Sequence, residues 1–139
     1  MAKVFKSYSA LVAELNRATN IAVENACKRI LEVLQVLIDT EYYSQFEPEE
    51  YVRTFQFLES ATTRMLSKNC GEICMDASKM NYKSWTGELQ LEYANLGFHG
   101  SPLIKRPGKF WDSFLEFCEE NATAILKEEL IKQGVPIIN

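Results

Sequence analysis

Histidine is almost absent from this chain of 139 residues, so a catalytic or metal site that needs imidazole would have to use His99. No serine or cysteine near His99 stands in a recognisable nucleophile motif. The paired spacing of a zinc site is missing, because Cys70 and Cys74 are four apart and no second pair follows. The Gly-Lys-Ser/Thr ending of a phosphate-binding Walker loop is missing too. We therefore expect no enzyme activity, no cofactor and no bound metal.

Long apolar runs are also missing. No segment approaches the roughly 18 to 20 apolar residues that span a bilayer, and the first residues, MAKVFKSYS, lack the apolar centre of a secretory signal. We expect a chain that stays in the cytoplasm of the producing cell and has no membrane partner. In that reducing compartment the four cysteines are expected to be small buried apolar side chains rather than disulfides.

Basic charge is scarce, and the net charge is −4. Between Glu32 and Glu59 there are seven acids and one base, Arg53. The predicted C-terminal helix carries a second acidic set: Asp112, Glu116, Glu119, Glu120, Glu128 and Glu129. Gripping nucleic acid requires a basic face that displaces phosphate counterions. The charge pattern thus argues against nucleic-acid binding, but it is compatible with a surface past which DNA slides. The adjacent glutamates of the helix are interpreted as a solvated acidic face, because neighbouring helical positions diverge by about 100°.

The first third of the chain predicts one long helix. Residues 7–40 contain neither proline nor glycine, and apolar residues recur at three- and four-residue steps, with Ser7 or Ser9 as the N-cap. Thirty residues of helix would reach roughly 45 to 50 Å, more than a domain of this size spans. We expect part of the helix to need a partner. The other possibility is that it only wraps one side of its own sheet.

The middle of the chain predicts a turn region and a β-hairpin. Residues 41–51 are interpreted as a turn anchored by Tyr42, Tyr43 and Phe46. Residues 51–60 are expected to form a helical turn that leads into a strand at 62–67. Turn-forming residues follow at 68–71, and the alternation of Ile73 and Met75 with polar neighbours predicts a second strand at 72–77.

Two further helices are predicted. Thr86 is a suitable cap for a helix over 87–96 with Trp85, Leu89, Tyr93 and Leu96 on one face, although Leu89, Leu91 and Tyr93 also alternate as in a strand. A final helix is predicted over 109–133, ended by Gly134 and Pro136. Its apolar face consists of Phe110, Phe114, Phe117, Cys118, Ala122, Ile125 and Leu126. Residues 1–139 are therefore expected to form a single α+β domain, with a long N-terminal helix and a C-terminal helix packed on a small antiparallel sheet.

The segment Trp85 to Phe117 is rich in aromatic residues, and the loop inside it is the predicted contact site. Two prolines and three glycines shape residues 97–108 by turns, and loops between anchored elements often carry function. Gly97-Phe98-His99-Gly100 superficially matches the clamp of a KH nucleic-acid module but lacks its basic residues. The candidate interaction residues are Phe98, His99, Leu103, Ile104, Lys105 and Arg106.

Several motifs together resemble a known protein family. These are the long first helix, the segment Arg53-Thr54-Phe55-Gln56-Phe57-Leu58-Glu59-Ser60, the hairpin ending at Met75-Asp76, the segment Tyr93-Ala94-Asn95-Leu96-Gly97-Phe98-His99-Gly100-Ser101, and the helix entry after Pro107. The pattern is similar to the head-tail joining or tail-completion (neck) proteins of long-tailed double-stranded DNA bacteriophages. It departs from theirs at Phe55, where a glycine is usual, and at Asn95-Leu96, where an acid usually precedes the glycine. The resemblance covers about residues 7 to 133.

The resemblance implies a structural virion protein with no enzymatic activity, assembled in the host cytoplasm. Copies would form a hexameric or larger ring between the capsid connector and the tail. The implied neighbours are connector or stopper proteins and tail terminator or tube proteins, and DNA would pass through the lumen without specific binding. An alternative class is a small acidic cytoplasmic binding or regulatory protein of the immunity or inhibitor type, which would be a monomer or a dimer.

Overall fold

The computed structural model describes residues 4–45, 55–82, 86–96 and 109–138. It contains four α-helices and one antiparallel hairpin in these ranges, which confirms the α+β prediction. No helix among these residues is long and apolar enough to cross a membrane. The elements in chain order are α1 (Tyr8–Leu37), a π-helical turn (Ile38–Tyr42), a 3-10 turn (Tyr43–Gln45), α2 (Gln56–Glu59), β1 (Ala61–Ser67), β2 (Cys70–Met75), a 3-10 turn (Ala77–Lys79), α3 (Gly87–Leu96) and α4 (Phe110–Lys132).

Helix α1 forms as predicted, and the π-helical and 3-10 turns that follow it extend into the region expected to be a turn. Ser7 is the N-cap, because its Oγ accepts a hydrogen bond from the Ala10 amide at 3.2 Å. Its 30 residues span about 45 Å. The chain stays helical through residues 38–45, so the predicted turn is wrong over residues 41–45, although Tyr42 and Tyr43 are buried anchors as expected. Phe46 and the rest of that predicted turn lie outside the described residues.

The core lies along the C-terminal two thirds of α1. The buried residues of that helix recur mostly every four positions, so they form one stripe that α4 and the hairpin cover. Beyond the end of α1, the rings of Tyr42, Phe57 and Phe110 meet with centroids 4.5 to 6.0 Å apart. Each such pair adds about 0.5 to 1.5 kcal/mol beyond the area that it buries. The buried residues of the stripe are Ala18, Ala22, Ala26, Cys27, Ile30 and Leu34.

The hairpin is present, but its turn is shorter than predicted. Strand β2 begins at Cys70, which pairs with Ser67, so only Lys68 and Asn69 form the turn. Asn69 adopts a left-handed conformation with φ 60°, which asparagine tolerates better than most residues. Gly71, predicted in the turn, is a strand residue. A Cβ at Gly71 would lie 2.6 Å from the Cys27 Sγ, so the glycine permits close approach of β2 to α1.

Residues 87–96 form a helix, as favoured from the sequence. The Thr86 Oγ1 accepts a hydrogen bond from the Leu89 amide at 3.3 Å, which supports the predicted cap. The predicted apolar face is wrong at Leu89, which is 38% exposed, whereas Ala94 is fully buried. The small side chain of Ala94 lets the helix approach the core, and Gln90 Nε2 donates to the Tyr42 hydroxyl at 2.8 Å. Trp85 and the side chains of Tyr93 and Leu96 lie outside the described part.

Helix α4 begins and ends within one residue of its predicted limits. Its apolar face is the predicted one, with Phe110, Phe114 and Ile125 buried. The helix ends where Gly134 takes φ 81°, and the Val135 amide donates back to the Leu130 carbonyl at 3.0 Å. One correction concerns Glu129, predicted on a solvated acidic face. It is buried, because cations from α1 and α4 hold its carboxylate.

Candidate interaction surface

The first two turns of α1, residues 8–15, are named here the N-terminal projection. None of these residues is buried, although the apolar stripe of α1 continues through them. Tyr8 is 82% exposed, Val12 36% and Leu15 39%. The hairpin tip reaches α1 one position further on, where the Nδ2 of Asn69 donates to the Asn16 Oδ1 at 3.3 Å. The projection is therefore an apolar helix face that the core of this chain leaves uncovered.

A groove of about 400 Å³ lies between strand β2 and helices α3 and α4. Its size is near the lower end of typical small-molecule or peptide pockets, roughly 300 to 1,000 Å³. No charged residue is among its described lining residues, which are Ile73, Cys74, Met75, Leu91, Phe110 and Trp111. Such a lining provides no general acid or base. The groove is suited to binding apolar side chains.

The projection and the groove lie at opposite ends of the molecule. Helices α1 and α4 run antiparallel, since Arg29 contacts Glu128 and Glu129, whereas Glu41, in the π-helical turn after α1, accepts a hydrogen bond from Ser113 near the start of α4. Phe110 in the groove therefore lies beside the end of α1, with its ring 6.0 Å from that of Tyr42. At 1.5 Å per residue, some 45 Å separate this end from Tyr8.

The outer face of α4 is acidic, as the sequence predicted for its first half. Four carboxylates are exposed there: Asp112, Glu116, Glu119 and Glu120. The structure gives them no partner among the described residues, whereas the acids further along the helix are paired. Exposed carboxylates without cations repel phosphate and attract basic or weakly cationic surfaces.

Glu129 is the buried charged residue of the described structure. Its Oε1 accepts hydrogen bonds from Lys132 Nζ and Arg29 Nη1, both at 2.9 Å. The bond from Lys132, supported by the bond from Arg29, lowers the pKa of Glu129 below its usual range, although burial acts in the opposite direction. Arg29 also binds Glu128 through Nη2 at 2.9 Å. A carboxylate held ionised by two cations is a poor proton acceptor, so this cluster is structural.

The cysteines are all free, and they differ in environment. Cys27 is buried, which fits the prediction, but Cys70 is exposed and Cys74 and Cys118 are half-buried, which does not. Burial raises the pKa of the Cys118 thiol, so it is less reactive than an ordinary cysteine. Among the described residues, no three of His, Cys, Asp and Glu come together as a metal-binding group.

The six interaction residues predicted from the sequence all belong to the loop 97–108. Phe98, His99, Leu103, Ile104, Lys105 and Arg106 lie outside the described residues, so their role stays a prediction. The groove was missed, and the projection was expected only as an unspecified part of the first helix that needs a partner. The projection had a signal in the sequence, because the apolar stripe of α1 runs longer than its own domain. The groove had none, because three separate elements form it.

These observations define a small α+β protein in which two long antiparallel helices and a hairpin share one core, and in which apolar surface is left open at both ends. The chain belongs to the YomN family, whose model matches residues 7–133, and this family is phage-associated. No curated protein and no solved structure gave a significant match.

Proposed function

We propose that this protein is a structural component of a phage particle, in which copies form a ring at the head-tail junction through which DNA passes. The observation that carries the proposal is the N-terminal projection. It presents Tyr8, Val12 and Leu15 to solvent on a helix that its own core does not cover. Exposed apolar faces of this kind mark protein contacts. The phage association of the family supports a particle component over a host protein.

The charge of the molecule supports passage of DNA without binding. The net charge is −4, and the exposed carboxylates of α4 include Asp112, Glu116 and Glu119. Lined up around a ring, such carboxylates would repel phosphate and keep the duplex from adhering. The partners in this proposal are further copies of the chain, a connector or stopper protein on the head side, and a terminator or tube protein on the tail side. The proposed location is the virion neck, with no enzymatic step.

The experiment removes the coding sequence from a phage genome that carries it. We expect DNA-filled heads and separate tails in electron micrographs of the lysate, and restored joined particles when the wild-type protein is supplied from a plasmid. Antibody-gold on wild-type virions should label the neck. Joined, infectious particles that form without the protein would contradict the proposal. A variant with Phe98→Asp and Ile104→Asp tests the predicted loop contact, and we expect it to fold but not to restore joining.

A second candidate is an acidic binding or regulatory protein of the immunity or inhibitor type. The specific observation in its favour is the row of exposed carboxylates on α4, which fits a basic partner. This reading predicts a monomer or dimer that remains in the cytoplasm after particles are assembled. Fractionation of a lysate on a density gradient separates the two functions. Protein found with purified virions favours the ring, and protein found only in the soluble fraction favours the regulator.

A further inference from the structure

We propose that the N-terminal projection of one copy docks into the apolar groove of the next copy, which produces a head-to-tail assembly. This inference rests on the self-association in the proposed function and names the two surfaces that make it. The projection offers Tyr8, Val12 and Leu15, and the groove is lined by Leu91, Trp111 and the other apolar residues given above.

The occupant cannot come from the projection of the same chain. α1 is a continuous helix from Tyr8 to Leu37, and the groove lies toward its far end, where Phe110 contacts Tyr42. Tyr8 is held some 45 Å from that end of the helix, so the projection cannot reach the groove of its own molecule. A helix of this kind does not fold back on itself without breaking its hydrogen bonds. Only a second copy can bring the two surfaces together.

The apolar character of the two surfaces matches. The buried stripe of α1 advances by four residues at a time through Ala18, Ala22 and Ala26, and the same arc continues backward to Leu15, Leu11 and Tyr8. The projection therefore continues the apolar face that the rest of α1 turns toward the core, but the core does not cover it. The groove is the complementary feature, an opening between elements whose lining is apolar. Docking one into the other would remove both from water, which is the main favourable term in association.

The charges around the two surfaces are complementary. Next to the lining residues in the chain stand the acids Asp76, Glu92 and Asp112 and one base, Lys109, whereas Glu72 is already bound to Arg64 at 2.9 Å. In the projection and the turn before it, Lys6 carries positive charge, while Glu14 is already bound to Arg17 at 2.6 Å. The first turn of α1 contains no acid, so the positive end of its helix dipole is not neutralised. Acidic residues beside the groove of the next copy would neutralise this positive end.

The geometry of this contact determines the kind of assembly. A projection and a groove are different surfaces, so the contact is heterologous and every copy keeps one free surface of each type until the assembly closes. Repeated contacts of this kind give a ring when the rotation closes and a filament when it does not. A two-fold dimer would bury the same surface on both copies and is not what the structure favours.

Cys74 in the groove makes the contact directly testable. In full-length protein with Cys70→Ser, a second cysteine is introduced by Val12→Cys, and the thiols are joined with a short bis-maleimide reagent. Heavy-isotope and light-isotope copies are mixed before the reaction. We expect cross-linked peptides that join residue 12 of one copy to Cys74 of another. The matched control is Ala13→Cys, which stands about 100° around the helix from Val12. It should give a yield lower by roughly tenfold, because its side chain leaves the helix face that carries Val12.

A second variant checks the contact without chemical reagents. Val12→Asp places a charge on the projection, and we expect unchanged circular dichroism and melting temperature, because Val12 is partly exposed, but loss of the oligomer by light scattering. Ala13→Asp should retain it. Purified virions that contain the protein at the neck but give no mixed 12–74 cross-link would overturn this contact and leave the proposed function standing. A cross-link in the purified protein, together with purified virions that do not contain the protein, would support the contact and overturn the neck location.

Discussion

The carboxylate of Glu129 shows how one side chain holds the two long helices together. It lies on the core-facing side of α4, and Arg29 reaches it from α1 while Lys132 reaches it from the next turn of α4. Arg29 divides its two terminal nitrogens between Glu129 and Glu128. Because a guanidinium is planar and its donors are fixed, this fork selects one axial position of α4 against α1. The pair therefore sets the register of the helices.

Replacing Glu129 with glutamine should destabilise the protein by about 1 to 3 kcal/mol, the usual effect of losing hydrogen bonds to a charged group. The matched control is Glu128→Gln, which removes the other carboxylate on the same arginine. Glu128 is 60% exposed in its side chain, whereas Glu129 is 5% exposed. The exposed pair should contribute between zero and about 1 kcal/mol. Urea unfolding followed by circular dichroism measures both. Equal losses in the two variants would show that burial of Glu129 has no energetic role.

The same pair predicts how stability depends on pH. The pKa of Glu129 is lowered in the folded protein, so its contribution is present above the ordinary glutamate value of about 4.3 and is lost as pH falls through the lowered folded value. The stability difference between wild type and Glu129→Gln should therefore shrink as pH is reduced toward about 3. Urea unfolding of both proteins across that range tests the prediction. A difference that stays constant with pH would contradict it.

Gly71 and Cys27 form a close contact that a double-mutant cycle can isolate. A Cβ at position 71 would lie 2.6 Å from the Cys27 Sγ and 3.3 Å from Val23 Cγ1. Gly71→Ala should destabilise the protein by roughly 1 to 3 kcal/mol, as other overpacked cores do. In a Cys27→Ala background the obstructing sulfur is gone, so the same substitution should have a smaller effect. Unfolding free energies of the four proteins test this, and strict additivity would argue against the contact.

At the scale of elements, the hairpin is fastened to α1 by its turn. The Asn69 amide donates to the Asn20 Oδ1 at 3.0 Å, and the Asn69 side chain donates to Asn16. The Oδ1 of Asn69 has no hydrogen-bond partner among the described residues. The left-handed backbone at Asn69 turns the chain within two residues, and both bonds are made from this conformation. The turn thus defines where the sheet stops along the helix.

Substitutions at Asn69 should separate the backbone requirement from the side-chain bond. Asn69→Gly loses only the side-chain bond, whereas Asn69→Ala also places a Cβ in the left-handed region, which costs roughly 1 to 2 kcal/mol. The expected order of stability is wild type, then the glycine variant, then the alanine variant. Thermal unfolding provides the ranking. An alanine variant as stable as the glycine variant would mean that the turn relaxes to another conformation.

Helices were predicted more reliably than their contacts, for a physical reason. The period of apolar residues and the caps at Ser7, Thr86 and Gly134 are local properties, so α1, α3 and α4 follow from them. Which face of α3 is buried does not follow from local properties, because Ala94 is buried in the core whereas Leu89 is exposed. Burial depends on which neighbour is near. The unpredicted helical residues 41–45 likewise depend on the contacts that Tyr42 and Tyr43 make with the aromatic cluster.

At the scale of the whole molecule, stability should be unevenly distributed along α1. The segment from Ala26 to Ile38 lies in the core, and residues 8–15 do not. Amide hydrogen exchange of the isolated chain should be slowest in the first segment and fastest in the projection, since exchange follows local opening. In the assembled protein, protection of residues 8–15 should increase while that of 26–38 changes little. Fast exchange of the projection in the assembly would contradict its role as a contact.

The period of the apolar residues and the caps determined two things without any coordinates, an α+β chain and a long first helix, and the charge balance predicts a surface unsuited to binding nucleic acid. These are local or additive properties, and each can be read from neighbouring residues or from a count. Only the folded chain shows that Glu129 is buried between two cations, and that residues from β2, α3 and α4 line one apolar groove far from the uncovered start of α1. Both depend on residues far apart in the chain becoming neighbours, and no local pattern records which ones will meet.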